Sequence, residues 1–310
     1  MTKSVFIDGA AGTTGLEIAE RLDGREEFTL ITLEGDKRKD AKARRDALND
    51  ADFAILCLPD DAVADAVAMV SSMSTAIIDA SSVHRVDPAW TYGFPELKAA
   101  QRSKIAGSKR VSNPGCYPTG FLALVAPLVA AKLIPDDWPY TVNAVSGYSG
   151  GGKAMIERFA KEGEIGFRAY GLDMAHKHLP EMQIHAGLAL PPLFAPSVIR
   201  AFRGMLVEVP LPISVMPGSD SAEEMRDCLA AHYAGSPLVN VHMDIAPSEL
   251  LIFEDQAPAD RLDLYLMASG DGRQIRLVAM LDNLGKGASG AAVQNLNIMA
   301  GLDELAGLRL

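Results

Sequence analysis

A strand, a glycine-spaced turn and a helix in immediate succession at the start of this chain constrain its fold more than any other feature. Val5 to Ile7 is a short apolar run, Gly9-Ala10-Ala11-Gly12-Thr13-Thr14-Gly15 follows it, and Thr14 to Leu22 has helical spacing. Phe28 to Leu33, Phe53 to Leu58 and Ala76 to Ile78 are further strand candidates, with an Ala-rich helix from Asp61 to Val70 between the last two. Strands that alternate with helices pair in parallel, because each crossover brings the chain back to the same end of the sheet. The expectation is an α/β fold that begins with a doubly wound parallel sheet.

The glycine turn sits where backbone amides at a helix start can face a pyrophosphate. Gly9, Gly12, Thr13, Thr14 and Gly15 are therefore candidate dinucleotide contacts. Their spacing is G-x-x-G-x-x-G, not the G-x-G-x-x-G fingerprint, so a plain strand-to-helix turn also fits. Glu34 closes the second strand, where an acidic residue would hold ribose hydroxyls. Beside it Lys37, Arg38 and Lys39 would instead accept a 2′-phosphate, which favours NADP; a solvated charge run is the alternative.

After Cys116 the character changes. Arg203 to Val215, Arg261 to Met267 and Gln274 to Leu281 are longer strand candidates, and Leu262, Leu264 and Leu266 alternate with Asp263 and Tyr265. That alternation suits a sheet covered on one face. Helices are expected at Lys153 to Glu162 and Ala222 to Tyr233, the second opened by a capping-box pattern from Ser221 to Glu224. A last helix, Ala291 to Leu305, is expected to return to the first domain. The first two of these helices would pack on that sheet.

Asn113-Pro114-Gly115-Cys116-Tyr117-Pro118-Thr119 places a cysteine at a glycine turn before a long apolar helix, Phe121 to Leu133. A thiol at a helix N-terminus feels the positive end of the dipole, which favours the thiolate. Nucleophile and buried filler both fit that placement. Cys57, in a strand-like run, and Cys228, in a helical one, read as filler. Three cysteines without paired spacing argue against a disulfide framework and a cysteine-built metal site.

His176 and His178 lie in Ala175-His176-Lys177-His178-Leu179-Pro180-Glu181, with His178 at the mouth of the helix that Pro180 begins. No third metal ligand has suitable spacing, so acid-base work beside a thiolate is the better functional reading. His84, His185, His232 and His242 look isolated. Ser146 to Lys153 is a second glycine-rich helix entry that lacks Walker spacing; a site for an anion and an ordinary flexible entry loop both fit it.

The 310 residues suffice for one large or two ordinary domains, and the formal net charge of -11 argues against general nucleic-acid or anionic-membrane affinity. Lys3 runs straight into the first strand, leaving no room for a signal peptide, and no apolar run reaches membrane-span length. The expected location is the cytoplasm.

Together these residues resemble the N-acetyl-gamma-glutamyl-phosphate reductase family, in its shorter subfamily within the semialdehyde dehydrogenase group. The string Asn113 to Thr119 carries the resemblance, with Asp282-Asn283-Leu284-Gly285-Lys286-Gly287-Ala288-Ser289-Gly290 and Gln294-Asn295. Asp79-Ala80-Ser81-Ser82 with Arg85, Tyr92-Gly93-Phe94-Pro95-Glu96 and His176 to Glu181 also match. The resemblance implies a Rossmann-like NADP domain at 1–115, with 287–310 returning to it, and an α+β catalytic and oligomerisation domain at 116–286, built on a mixed sheet. It implies that Cys116 forms a thioester, His178 handles the proton and Glu181 is a nearby orienting carboxylate. Ser81, Asn283, Lys286 and Gly287 would join the glycine loop, Lys37 and Arg38 on the cofactor. Arg85, Asn113, Ser149, Lys153 and His176 would meet the substrate, an acyl phosphate of arginine biosynthesis. A homo-oligomer, dimer or tetramer, is also implied. A sibling such as aspartate-semialdehyde dehydrogenase, or a non-catalytic NADP-binding protein, would share much of this pattern.

Overall fold

The computed structural model describes residues 2–243 and 247–310. The chain forms two compact units, Met1–Pro114 with Ala288–Leu308, and Gly115–Gly287 with Arg309–Leu310.

The first unit runs β1 (Lys3–Asp8), α1 (Thr13–Leu22), β2 (Phe28–Ile31), α2 (Ala41–Asp50), β3 (Phe53–Leu56), α3 (Asp60–Met69), β4 (Ala76–Asp79), β5 (Thr91–Tyr92), α4 (Gln101–Ala106) and β6 (Arg110–Ser112). Its six strands lie in the order β2-β1-β3-β4-β6-β5, and every neighbouring pair is parallel. Successive side chains point to opposite faces. Val5, Ile7, Ile55 and Ile78 pack on Ile18 and Leu22 of α1 and Ile105 of α4. Phe6, Ala54, Leu56 and Ile77 pack on Leu48 of α2 and Val63 and Ala66 of α3. Both faces are covered, which is why β3 is apolar throughout. The C-terminal helix Gly290–Ala300 adds Ala292, Val293 and Leu296 to the first of these faces. From β1 the sheet extends to β2 on one side and β3 on the other. Such a reversal opens a crevice at the strand's carboxyl end, where Gly9 to Gly15 lie.

The second unit runs α5 (Cys116–Ala130), β7 (Thr141–Gly147), α6 (Gly152–Lys161), β8 (Phe167–Ala169), α7 (Leu179–Ala186), β9 (Leu193–Ile199), β10 (Met205–Leu211), α8 (Ala222–His232), β11 (Val239–Val241), β12 (Leu262–Ala268) and β13 (Ile275–Leu281). Among the described residues seven strands form a mixed sheet in the order β11-β12-β13-β10-β7-β9-β8. β7 with β9 and β11 with β12 are parallel, the other pairs antiparallel. Helix α5 is buried from Tyr117 through Leu128, as an all-apolar helix must be; β10, β13, α7 and α8 enclose it. Leu262, Leu264 and Leu266 are buried, with Asp263 and Tyr265 half-exposed between them.

Several expected elements end early, and two fall shortest. The strand expected to reach Val215 stops at Leu211, because Val215 and Met216 turn back to bond the Pro212 carbonyl. The last helix stops at Ala300 instead of Leu305. Gly301 adopts φ 71°, and the Leu302 amide returns to the Asn297 carbonyl at 2.9 Å, a left-handed stop that glycine permits. Among the described residues no helix is long and apolar enough to cross a membrane.

Candidate active site

Cys116 is the first residue of α5, and Gly115 before it supplies no side-chain cap. Another element holds this turn. The Gly115 amide donates to Glu181 Oε1 at 2.8 Å, and Glu181, 1% exposed, stands in the first turn of α7. Thr119 closes the turn from within, its hydroxyl donating to the Gly115 carbonyl at 2.9 Å. Behind the cysteine there is no room: a Cβ on Gly287 would lie 2.9 Å from Cys116 Cβ. Gly287, expected at the cofactor, thus packs on the thiol's own residue.

His178 is the N-cap of α7 and is buried. Its amide donates to His176 Nδ1 at 3.1 Å, and the two rings stand 4.7 Å apart. The Tyr117 ring lies 6.1 Å from His176 and 5.9 Å from His178. Tyr117 and Tyr170 were not singled out in the sequence, yet their hydroxyls are 3.3 Å apart. Burial, then Tyr170 and then Cys116, hold the Tyr117 phenol well above its ordinary pKa. Charge at Cys116 is therefore felt inside this aromatic group.

Two predicted residues from distant stretches meet. Asn283 Nδ2 donates to Ser149 Oγ at 2.9 Å, and Asn283 is 1% exposed. Asn283 Oδ1 has no hydrogen-bond partner among the described residues. A buried acceptor of this kind is costly unless a ligand donor meets it. Asp282 fixes the loop, accepting from Arg203 at 2.8 Å and from the Leu284 and Ala259 amides. Lys286 is buried; Lys153 is not. It is 77% exposed on α6 and faces Glu157 at 3.8 Å.

In the first unit the glycine loop takes the shape a dinucleotide needs. Gly9 has φ +89°, and a Cβ there would lie 2.2 Å from the Cys57 carbonyl oxygen. Thr13 and Thr14 open α1, whose Gly12 cap leaves the first amides uncapped by a side chain. A cavity of ≈ 450 Å³ beside the loop is lined by Asp8, Gly9, Leu30, Arg38, Lys39 and Arg44, among others. Its size and basic wall fit the adenosine end of a nucleotide. Lys37 is not on that wall, and Glu34 is exposed. Arg44 is the addition: it grips Asp8 through Nε at 3.2 Å and Nη2 at 2.8 Å. Its signal was Asp40, which caps α2 by accepting from the Ala43 amide at 2.7 Å and so sets Arg44 one turn in.

Arg85 and Asn113 are occupied within this unit. Arg85 donates to the Asn113 and Ala80 carbonyls at 3.0 and 3.1 Å. Asn113 donates to the Ala288 carbonyl at 2.9 Å and accepts from Asn295 at 3.1 Å. Ser81 bonds Asp79 at 2.8 Å. His84 is not isolated: its Nδ1 lies 2.7 Å from Asp79 and its ring stacks on Trp90. Nor is His242, which lies 2.8 Å from Asp263. Burial, then Asp79 and Asp8, push the Cys57 thiol up to about 12, and burial, then Glu224, raises Cys228. Both are poor nucleophiles.

Residues 4–105 match the family model "Semialdehyde dehydrogenase, NAD binding domain", and residues 116–283 match "Semialdehyde dehydrogenase, dimerisation domain". The N-acetyl-gamma-glutamyl-phosphate reductase of Trichormus variabilis is 48% identical over 317 residues, covering 98% of each chain. That of Pseudomonas putida, reductase 2, is 49% identical over 308 residues, covering 97% of each. The chain belongs to the N-acetyl-gamma-glutamyl-phosphate reductase family. In this reductase family member, the matched NAD binding domain carries the glycine loop and its cavity, where a nicotinamide cofactor fits. The fold extends to more distant structures. Aspartate semialdehyde dehydrogenase II of Vibrio cholerae, complexed with ASA, has a TM-score of 0.71 at 18% identity, covering 97% of this chain and 99% of that one. The Candida albicans enzyme with NADP has a TM-score of 0.65 at 15% identity, with the same coverage.

Proposed function

We propose that this protein reduces N-acetyl-L-glutamyl 5-phosphate to N-acetyl-L-glutamate 5-semialdehyde with NADPH, in arginine biosynthesis, through a thioester on Cys116. One observation carries the reading: Cys116 opens α5, its preceding amide is held by buried Glu181, and two histidines stand in the same unit. It occurs in a chain 47–49% identical to reductases of that name over nearly their whole length.

Cys116 thiolate attacks the acyl carbon, forming the C–S bond as the bond to phosphate breaks. When bound, reduced nicotinamide supplies the hydride that a thioester accepts more readily than a carboxylate. His178 gives a proton to the oxygen on which charge develops and takes it back as the C–S bond opens to release aldehyde. Glu181 fixes the turn that aims the thiol. Ser149 and His176 serve the substrate side, and Asn283, Gly287 and Lys286 the nicotinamide side. Arg38, Lys39 and Arg44 supply cations for a 2′-phosphate, which supports NADP over NAD. On this reading the first unit holds the cofactor and the second carries the chemistry and self-association. The description "dimerisation domain" supports a homo-oligomer, and the cytoplasm is the proposed location.

The test is phosphate-dependent reduction of NADP⁺ with N-acetylglutamate semialdehyde against aspartate semialdehyde. Strong preference for the first is expected; equal or reversed rates would sink the substrate assignment.

A further inference from the structure

A substrate whose carboxylate is separated by three carbons from its reacting group needs a cation set back from the nucleophile. Most cations near this site in the second unit are engaged. Arg203 is paired with Asp282 at 2.8 Å, Arg158 with Glu162 at 3.2 Å, and Lys153 faces Glu157. Arg168 differs. It is half-buried in the edge strand β8, and among the described residues no carboxylate pairs with it.

Register gives its direction. Arg168 lies opposite Val198 of β9, so it shares a sheet face with Val198 and, two steps of two along, Phe194. Phe194 is the ring packed 5.1 Å from both Tyr117 and His176. The Arg168 guanidinium carbon stands 4.9 Å from the Tyr170 ring centroid, a cation–π distance. Tyr170 in turn stands 5.6 Å from the His176 ring and 3.3 Å from the Tyr117 hydroxyl. Electrostatics agree with this chain. Burial pushes the Tyr170 phenol up to about 12; the Tyr117 hydrogen bond lowers it, Cys116 raises it and Arg168 lowers it. Arg168 and the thiol thus act on one phenol.

We infer that Arg168 anchors the α-carboxylate of the substrate, held over Tyr170 at the outer side of the His176–Tyr117 cluster so that the acyl end is aimed at Cys116. The assignment rests on the substrate proposed above. Phosphate departs from the carbon that Cys116 attacks, so its cation must adjoin the thiol, whereas Arg168 stands beyond Tyr170. A planar guanidinium also matches a carboxylate with two parallel hydrogen bonds.

The test runs the reaction towards acyl phosphate with two aldehydes, N-acetylglutamate 5-semialdehyde and 4-acetamidobutanal, which is the same molecule without its carboxylate. Native protein, R168K and R168Q are compared. One charge-assisted contact is worth on the order of 10–100-fold. The kcat/KM preference for the carboxylate-bearing aldehyde is expected to shrink by that factor in R168Q, mainly through KM, and to return in part in R168K. An unchanged preference in R168Q overturns the assignment. So does an equal fall in kcat with both aldehydes, which marks a purely structural role. Native protein that turns over aspartate semialdehyde but not N-acetylglutamate semialdehyde overturns the proposed reaction, and this anchor with it.

Discussion

Gly287→Ala adds only one methyl group, yet it should disable the site. The new Cβ would lie 2.9 Å from Cys116 Cβ, 3.1 Å from the Asp282 carbonyl oxygen and 3.3 Å from Cys116 Cα. Carbon atoms in contact normally stand about 3.5–4.0 Å apart, so the overlap with Cys116 is roughly 0.6–1.1 Å. Gly287 cannot retreat, because its amide bonds the Asp282 carbonyl at 3.0 Å and Asp282 is gripped by Arg203. The yielding partner is the start of α5. Misplacing a reacting group by about 1 Å can cost on the order of 100-fold in rate. Overpacking adds a loss of about 1–3 kcal/mol in stability, at roughly 2–4 °C of Tm per kcal/mol for a unit of this size. The assay is steady-state kinetics with iodoacetamide labelling of Cys116 and a thermal melt. A folded variant with native kcat and native labelling rate would refute the packing argument.

Cys116→Ser is expected to abolish turnover while equilibrium binding of NADPH persists; normal turnover would reassign the nucleophile. Near pH 8 a thiol held at about 12 is thiolate in only about one molecule in 10⁴, so alkylation mapped by mass spectrometry should reach Cys116 well before Cys57. His178→Asn should lower kcat by roughly 10²–10⁴-fold, whereas His176→Asn should raise KM more than it lowers kcat; the reverse pattern exchanges their roles. Arg44→Ala and Arg38→Ala should weaken NADPH binding more than NADH binding, read by nucleotide fluorescence titration, and more than Lys37→Ala does. Equal losses for the two nucleotides would move the 2′-phosphate contact elsewhere.

Local chemistry made the start of α5 legible: a glycine turn, a cysteine and a proline suited to a first helical turn stand within four residues. The parallel strands β3 and β4 were legible because both faces are covered. Strands β7 and β9 were not. Asn143 and Ser146 interrupt the first and Pro196 the second, and their mutual pairing, Thr141 with Leu193 onward, holds them in place. Helix α2 escaped because its charged residues leave little apolar spacing, only Ala47 and Leu48 being buried. In the site, Cys116, His176 and His178 were readable from neighbours in sequence. The Glu181 bond to Gly115, the Ser149–Asn283 pair and the Tyr117–Tyr170 contact join residues far apart in the chain. No periodicity encodes such meetings.

The first unit is completed by a segment made long after the rest of it. Val293 and Leu296 of the C-terminal helix share a core with Val5, Ile18 and Ile55, and Arg25 reaches Asn297 at 2.9 Å. During synthesis, residues up to Pro114 emerge with one sheet face lacking its last helix, and the whole of Gly115–Gly287 follows before that helix exists. Closing so long a loop slows folding more than it weakens the finished state. The nascent sheet therefore keeps an apolar patch on offer to chaperones throughout translation of the second unit. A premature stop after residue 287 would strike the nucleotide-binding unit first, although the missing residues follow the whole of the second unit in the chain.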